Sequence, residues 1–206
     1  MNTSICLRDF EERDIDFVYR CKNDVQLNSM TVGDFKPITY DGARKWVEGC
    51  IGDHENYKFW AVCTNDEEKR IVGWVSLSQI DKKAKSACHH GIVIGDNEYR
   101  DGTAMFETML LSMDYAFSVL KLQRLYGSCL SEHKVSPFML LALGFSIEGK
   151  QREAVFRKGK YYDVLNFSIT EGEHNKMRTQ GKYEIENLIM KFVETKREYK
   201  KQNKTF

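Results

Sequence analysis

The chain has 206 residues, 42% of them apolar and 12% aromatic, which suits one large globular domain with an ordinary core. Its 31 lysines and arginines nearly cancel 30 aspartates and glutamates, so no overall field draws in nucleic acid or an anionic membrane. Six cysteines, at 6, 21, 50, 63, 88 and 129, lack the close pairs of zinc ribbons and redox motifs and are expected as buried thiols. No basic region followed by an apolar core opens the chain, and no apolar run nears the roughly 20 residues that span a bilayer; a cytoplasmic, reducing setting is expected.

Ser4 to Leu7 is expected as a first strand and Arg13 to Cys21 as a helix with Ile15, Val18 and Tyr19 on one face. After the break at Lys22-Asn23-Asp24, a helix runs from about Tyr40 to Cys50 with Thr39 as its N-cap. Trp46 lies on its apolar side, either as core or as a platform for a substrate. Tyr57 to Thr64 and Ile71 to Ile80 are strand-like runs joined by the charged turn Asn65 to Arg70, and Ser86 to Ile94 follows as a third antiparallel strand.

Gly91 to Phe117 spells strand, loop and long helix, with Phe106, Leu110, Met113, Phe117 and Leu120 recurring at helical spacing. The loop feeds a helix N-terminus, where unpaired N–H groups and a positive dipole end make a phosphate cradle. Leu125 to Leu130 is expected as a strand and His133 to Leu143 as a helix that tolerates Pro137 near its start. Phe145 to Phe156 and Lys160 to Ile169 form a hairpin around Arg157-Lys158-Gly159. Lys182 to Lys201 is expected as an amphipathic helix with Ile185, Leu188, Ile189, Phe192 and Val193 on one face, its basic end solvated rather than bound to a polyanion.

IGDNEYR followed by ETMLLSMDYAF resembles the central motif of the GNAT N-acetyltransferases, in the branch that includes ribosomal-protein, spermidine and amino-sugar N-acetyltransferases. The tail GFSIEGKQREAVFRKGKYYDVLNFSI resembles the closing hairpin of the same branch. The resemblance implies an α/β (α+β) GNAT fold over residues 1–170, with a central mixed, mostly antiparallel sheet flanked by helices, and 171–206 as a C-terminal helical extension. The family's loop, Gln/Arg-x-x-Gly-x-Gly/Ala, puts Arg100 at its first position and Thr103 and Met105 where small residues belong. A loop one residue shorter would use Gly102 and Ala104, but Glu107 and Asp114-Tyr115-Ala116-Phe117 fall in register only without that deletion.

The implied co-substrate is acetyl-CoA, held by Ile92, Val93 and Ile94 on the strand, by Arg100, Asp101, Gly102, Thr103, Ala104 and Met105 in the loop, and by His133 and Ser136 beyond it. The implied activity is direct acetyl transfer to a primary amine (a protein N-terminus, a polyamine or an amino sugar), with a small-molecule or peptide amine as partner. No nucleic acid, membrane or metal is implied, and a homodimer is allowed. Relatives commonly place glutamate two residues before the glycine of Ala87-Cys88-His89-His90-Gly91, which makes His89 the candidate base. Its unperturbed pKa of about 6.5 suits that task. Adjacent strand residues face opposite ways, so His89 is favoured over His90; both are otherwise hydrogen-bonded structural histidines. The family's tyrosine, proton donor to the leaving thiolate, is Leu140 here, so His133, a water or an unassisted thiolate of pKa about 8.5 would serve. The alternative is a non-catalytic acyl-CoA-binding module of the same fold, which Thr103, Met105 and Leu140 favour.

Overall fold

The computed structural model describes residues 3–29, 35–52 and 54–202. A seven-stranded sheet in the order β1-β2-β3-β4-β5-β7-β6 runs through it, comprising β1 (Ile5–Arg8), β2 (Lys58–Thr64), β3 (Ile71–Asp81), β4 (Ser86–Ile94), β5 (Arg124–Leu130), β6 (Ser146–Arg157) and β7 (Lys160–Thr170). Every pairing is antiparallel except β4 with β5. The helices are α1 (Ile15–Asn23), α2 (Tyr40–Cys50), α3 (Thr103–Asp114), α4 (Ser136–Ala142), α5 (Glu171–Thr179) and α6 (Ile185–Gln202).

Alternation along the strands separates two cores. On one face Val75, Leu77, Ala87 and Phe167 pack with Phe106, Met109, Leu110 and Met113 of α3 and with Met139 and Leu143 of α4. On the other, Ala61, Cys63 and Ile71 pack with Ile15, Phe17, Val18 and Cys21 of α1 and Ala43, Val47 and Cys50 of α2. Glu107, 5% exposed, ties α3 to the start of β1: its carboxylate accepts from Ser4 N at 3.1 and 3.0 Å and from Ser4 Oγ at 2.7 Å. All six cysteines are free. Among the described residues no helix is long and apolar enough to cross a membrane.

Four boundaries differ from expectation, each for a local reason. The first helix begins at Ile15, not Arg13, because Asp14 turns inward to accept from Arg8 and from Glu11 N–H, which forces a 3-10 turn over Glu12–Asp14. The central helix loosens at Tyr115 into a π turn through Val119, with Leu120 N–H reaching Tyr115 O. The helix expected from His133 starts at Ser136, since His133 caps it from outside. The last helix starts at Ile185 and is preceded by α5, whose Thr170 and Glu173 form a capping box.

The C-terminal segment is built onto the main core. Tyr183 and Leu188, 3% and 1% exposed, join the cluster around α3, and Phe192 meets Phe106 and Phe138 edge-on at 6.4 and 6.3 Å. Ile189 and Val193, expected on the same buried stripe, are exposed, because α6 crosses α3 and α4 on a narrower seam.

Candidate active site

The site begins where the sheet divides. β4 and β5 are paired only over Ser86–Cys88 with Arg124–Tyr126. Beyond that, β5 stays with β7 as far as Leu130, while β4 stays with β3 as far as Ile94. At the vertex the strands nearly touch: a Cβ added at Gly127 would lie 3.1 Å from His89 O. The register of β4 on β3 then slips between Val75 and Leu77, and Gly91 takes φ +70°, a bulge that bends β4 away and that a side chain would resist. The edge of His89–Ile94 that faces β5 therefore has no strand partner, and an extended chain such as a pantetheine arm can lie along it.

Because β4 and β5 are parallel, both of their C-terminal ends lie at the open end of this split. There α3 begins. Its N-cap is Gly102 at φ +103°, and a Cβ added to Gly102 would meet nothing within 4 Å. That open space lies before a twelve-residue helix whose first-turn N–H groups lack intrahelical acceptors. Asp101 Oδ1 takes the Thr103 N–H at 2.8 Å, so the Ala104 and Met105 N–H groups are the ones left for a phosphate. Arg100 folds back to donate to Ile94 O at 2.9 Å and Gly95 O at 3.0 Å, bracing the strand end against the loop.

Across the split, His133 accepts from Val135 N–H at 3.2 Å and Ser136 N–H at 2.9 Å through Nδ1, with Nε2 3.4 Å from Ser136 Oγ. Burial pushes its pKa below the usual histidine value, which keeps Nδ1 an acceptor and leaves the proton on Nε2. Ile92, Val93 and Ile94 end β4, Arg100–Met105 lead into and begin α3, and His133 and Ser136 follow the end of β5. Leu140 sits half-buried against the main core and offers no proton.

His89 turns towards α3. It pairs with Leu77, is 8% exposed, and its Nε2 lies 2.9 Å from Ser112 Oγ of α3. Ser112 Oγ in turn donates to Met109 O at 3.0 Å, so the imidazole is the donor and works as a strut beneath α3. The expectation for His90 falls on a side chain outside those described. His89→Ala is accordingly expected to lower stability by about 1–3 kcal/mol while changing turnover of the folded enzyme less than tenfold. A loss of roughly 10²–10⁴-fold, with loss of the basic limb of the pH–rate profile, would restore it as the base.

On the opposite face of the sheet a cavity of about 470 Å³ is lined by Lys45, Trp46, Gly49, Cys50, Tyr57, Phe59 and Ser78. Ser78 is the β3 partner of Cys88, the last β4 residue joined to β5, so the cavity lies one strand from the vertex of the split. Tyr126, the partner of Cys88 on β5, stands at the same vertex with its hydroxyl on Gln79 Oε1 at 2.8 Å. The wall is aromatic: Trp46 lies 5.6 Å from both Phe59 and Trp74, and Tyr57 stacks on His54 at 4.1 Å. Trp46 is half-buried, packed against the second core and lining the cavity. Trp74, Tyr57, Phe59 and Lys22 carry no local motif, since they converge with Trp46 only when α1, α2 and the two strands β2 and β3 assemble. A second cavity of about 340 Å³ beside α3 includes Glu107 and Asp114, but both carboxylates are already bonded, to Ser4 and to His174 with Arg178.

A mixed sheet that splits between two parallel strands, with a helix N-terminus at the open end, defines an acyl-CoA-binding transferase fold. Residues 4–146 match the acetyltransferase (GNAT) domain family; the chain belongs to that family and is an acetyl-CoA-dependent N-acetyltransferase. It is 25% identical over 176 residues to the spermidine N(1)-acetyltransferase of Vibrio cholerae, covering 84% of this chain and 97% of that one. It is 30% identical over 141 residues to the probable N-acetyltransferase YjcK of Bacillus subtilis, covering 67% and 75%. It is 26% identical over 104 residues to the [ribosomal protein uS5]-alanine N-acetyltransferase of Escherichia coli, covering 50% and 53%. The crystal structure of the Vibrio cholerae spermidine N-acetyltransferase in complex with CoA and spermine superposes with a TM-score of 0.73 at 23% identity, over 84% of this chain and 98% of that one. When bound, acetyl-CoA supplies an acetyl group activated as a thioester.

Proposed function

We propose that the acceptor is a primary amine of a small molecule or peptide, that it enters through the aromatic cavity under α2, and that it meets the acetyl group at the vertex of the β4/β5 split. The observation that carries this is the pairing of Ser78, a cavity residue, with Cys88, where the two strands part. Transfer is direct, within a ternary complex: the neutral amine nitrogen bonds to the acetyl carbon, the carbon–sulfur bond breaks with its electron pair to leave coenzyme A as the thiolate, and one amine proton passes to water. Acceptors of this kind occur among the relatives, a polyamine for the Vibrio cholerae enzyme and a ribosomal-protein alanine for the Escherichia coli one. A cytoplasmic setting accords with six unbridged thiols.

Two measurements test this. Acetyl-CoA at ten times its dissociation constant should stabilise the protein by about 1.4 kcal/mol, read as a rise in Tm; no rise would remove the cradle assignment. Gly49→Leu fills the cavity from a helical position where an added Cβ meets nothing within 4 Å. It should raise the acceptor KM about tenfold or more without altering the acetyl-CoA shift. Leu140 favours one other reading, a module that binds acyl-CoA without turnover; thiol release above the hydrolytic background with any amine of a broad panel decides against it.

A further inference from the structure

Besides Lys45 in its lining, the aromatic cavity has a second cation packed on its wall. Lys22 Nζ lies 4.0 Å from the ring centre of Trp46 and 5.7 Å from that of Trp74, close to Cys50 of the same wall. Among the described residues no carboxylate pairs with it. Of the acidic groups around α1, α2 and β2, Asp41 is bonded to Lys45 at 2.8 Å, Asp16 to the Tyr40 hydroxyl at 2.7 Å, Asp9 to Lys58 at 2.7 Å and Asp24 to the Gln26 N–H at 2.8 Å, while the charge of Glu48 acts on Lys45. None of the cavity's lining residues is acidic. Burial pushes the Lys22 ammonium below the ordinary lysine range, the mark of a charge stripped of water.

We propose that the acceptor amine also carries an anionic group, a carboxylate or a phosphate, that pairs with Lys22 while the body of the molecule rests on Trp46 and Phe59. This rests on the placement of the acceptor in the α2 cavity. A ring face flanked by other rings would by itself attract a cation, but here the cation is already in place on Trp46. An entering polyamine meets a like charge on a wall whose lining holds no carboxylate, whereas an anion meets a partly desolvated ammonium with no carboxylate partner among the described residues. Lys22 would also fix which end of the acceptor points inward, since Trp74 pairs with Ala61 and with Val93 of β4, beside the split.

Matched pairs isolate the anion: glucosamine against glucosamine 6-phosphate, and tyramine against L-tyrosine, with spermidine as the polycation. Thiol release is followed for each at saturating acetyl-CoA. In at least one pair the anionic member should exceed both its parent and spermidine by about tenfold or more in kcat/KM. Lys22→Ala should erase that preference and Lys22→Arg retain most of it, with the acetyl-CoA-induced rise in Tm unchanged in both. If turnover is too slow to measure, binding of each amine to the coenzyme A complex is followed by tryptophan fluorescence and scored the same way. Spermidine as the better ligand, a preference that survives Lys22→Ala, or no binding by either anionic member would overturn the proposal. Gly49→Leu separates the two levels. If it blocks the acceptor while Lys22→Ala changes nothing, the cavity stands and the anion falls; if Gly49→Leu is silent, the cavity itself is misplaced.

Discussion

Gly102→Val is expected to weaken acetyl-CoA binding by about 10²-fold, equivalent to roughly 2.7 kcal/mol. Two effects combine at this residue. The N-cap of α3 sits at φ +103°, a conformation that costs a residue with a Cβ about 1–3 kcal/mol and a β-branched one more. The added side chain also projects into space where nothing now lies within 4 Å, directly before the Ala104 and Met105 N–H groups that are to meet the pyrophosphate. Gly172→Val is the matched control. An added Cβ there likewise meets nothing within 4 Å, but Gly172 lies in the first turn of α5 without a positive φ. Calorimetric titration of both variants, after circular dichroism confirms folding, gives the comparison. Equal weakening would place the cradle somewhere other than the β4–α3 turn.

The order of strands and helices was legible because each strand's apolar run and each helix's 3.6-residue period serve the same two cores. Thr39 was readable as a cap and does accept from Gly42 N–H at 3.1 Å. The capping box at Thr170 and Glu173 was equally readable and announces α5, yet the apolar periodicity of that helix is weak, with only His174 fully buried in it. His89 shows a different limit. Alternation says that His89 and its neighbour face opposite ways, but not which way. The direction follows from pairing with Leu77, a tertiary fact. The cavity was hidden for a related reason: Lys22, Trp46, Phe59 and Trp74 come from four elements, and none carries a local motif. In isolation Lys22 looks like the charged end of α1.

The fold should also lose stability as the pH falls from about 6.5 towards 4.5, by on the order of 2 kcal/mol, through His174. This residue is 1% exposed. Its Nε2 lies 3.0 Å from Asp114 Oδ1 and its Nδ1 3.0 Å from the Tyr183 hydroxyl. A carboxylate only accepts, so Nε2 carries the proton; Nδ1 of the neutral ring then accepts from Tyr183 O–H. Burial holds the ring neutral and pushes its pKa down to about 4, with the nearby Glu171 charge opposing. Arg178 donates to the same Asp114 oxygen, which neutralises the carboxylate that would otherwise favour an imidazolium. Between the unfolded pKa near 6.5 and the folded value the unfolded chain binds more protons, so acid favours unfolding; above about pH 7 the contribution vanishes. Burial lowers the His133 pKa too, so His133 adds to the same slope, whereas the Glu148 carboxylate beside Arg124, at about 2, acts below its unfolded value of 4.5 and so lies outside this window. Urea unfolding at pH 7.5, 6.5, 5.5 and 4.5 measures the slope. His174→Gln, which keeps a donor for Asp114 and an acceptor for Tyr183, should be less stable than the wild type at pH 7.5 yet flatter across the window. If both proteins decline in parallel, His174 is not the titrating group, and the tie between α5, α6 and the core does not depend on a neutral imidazole.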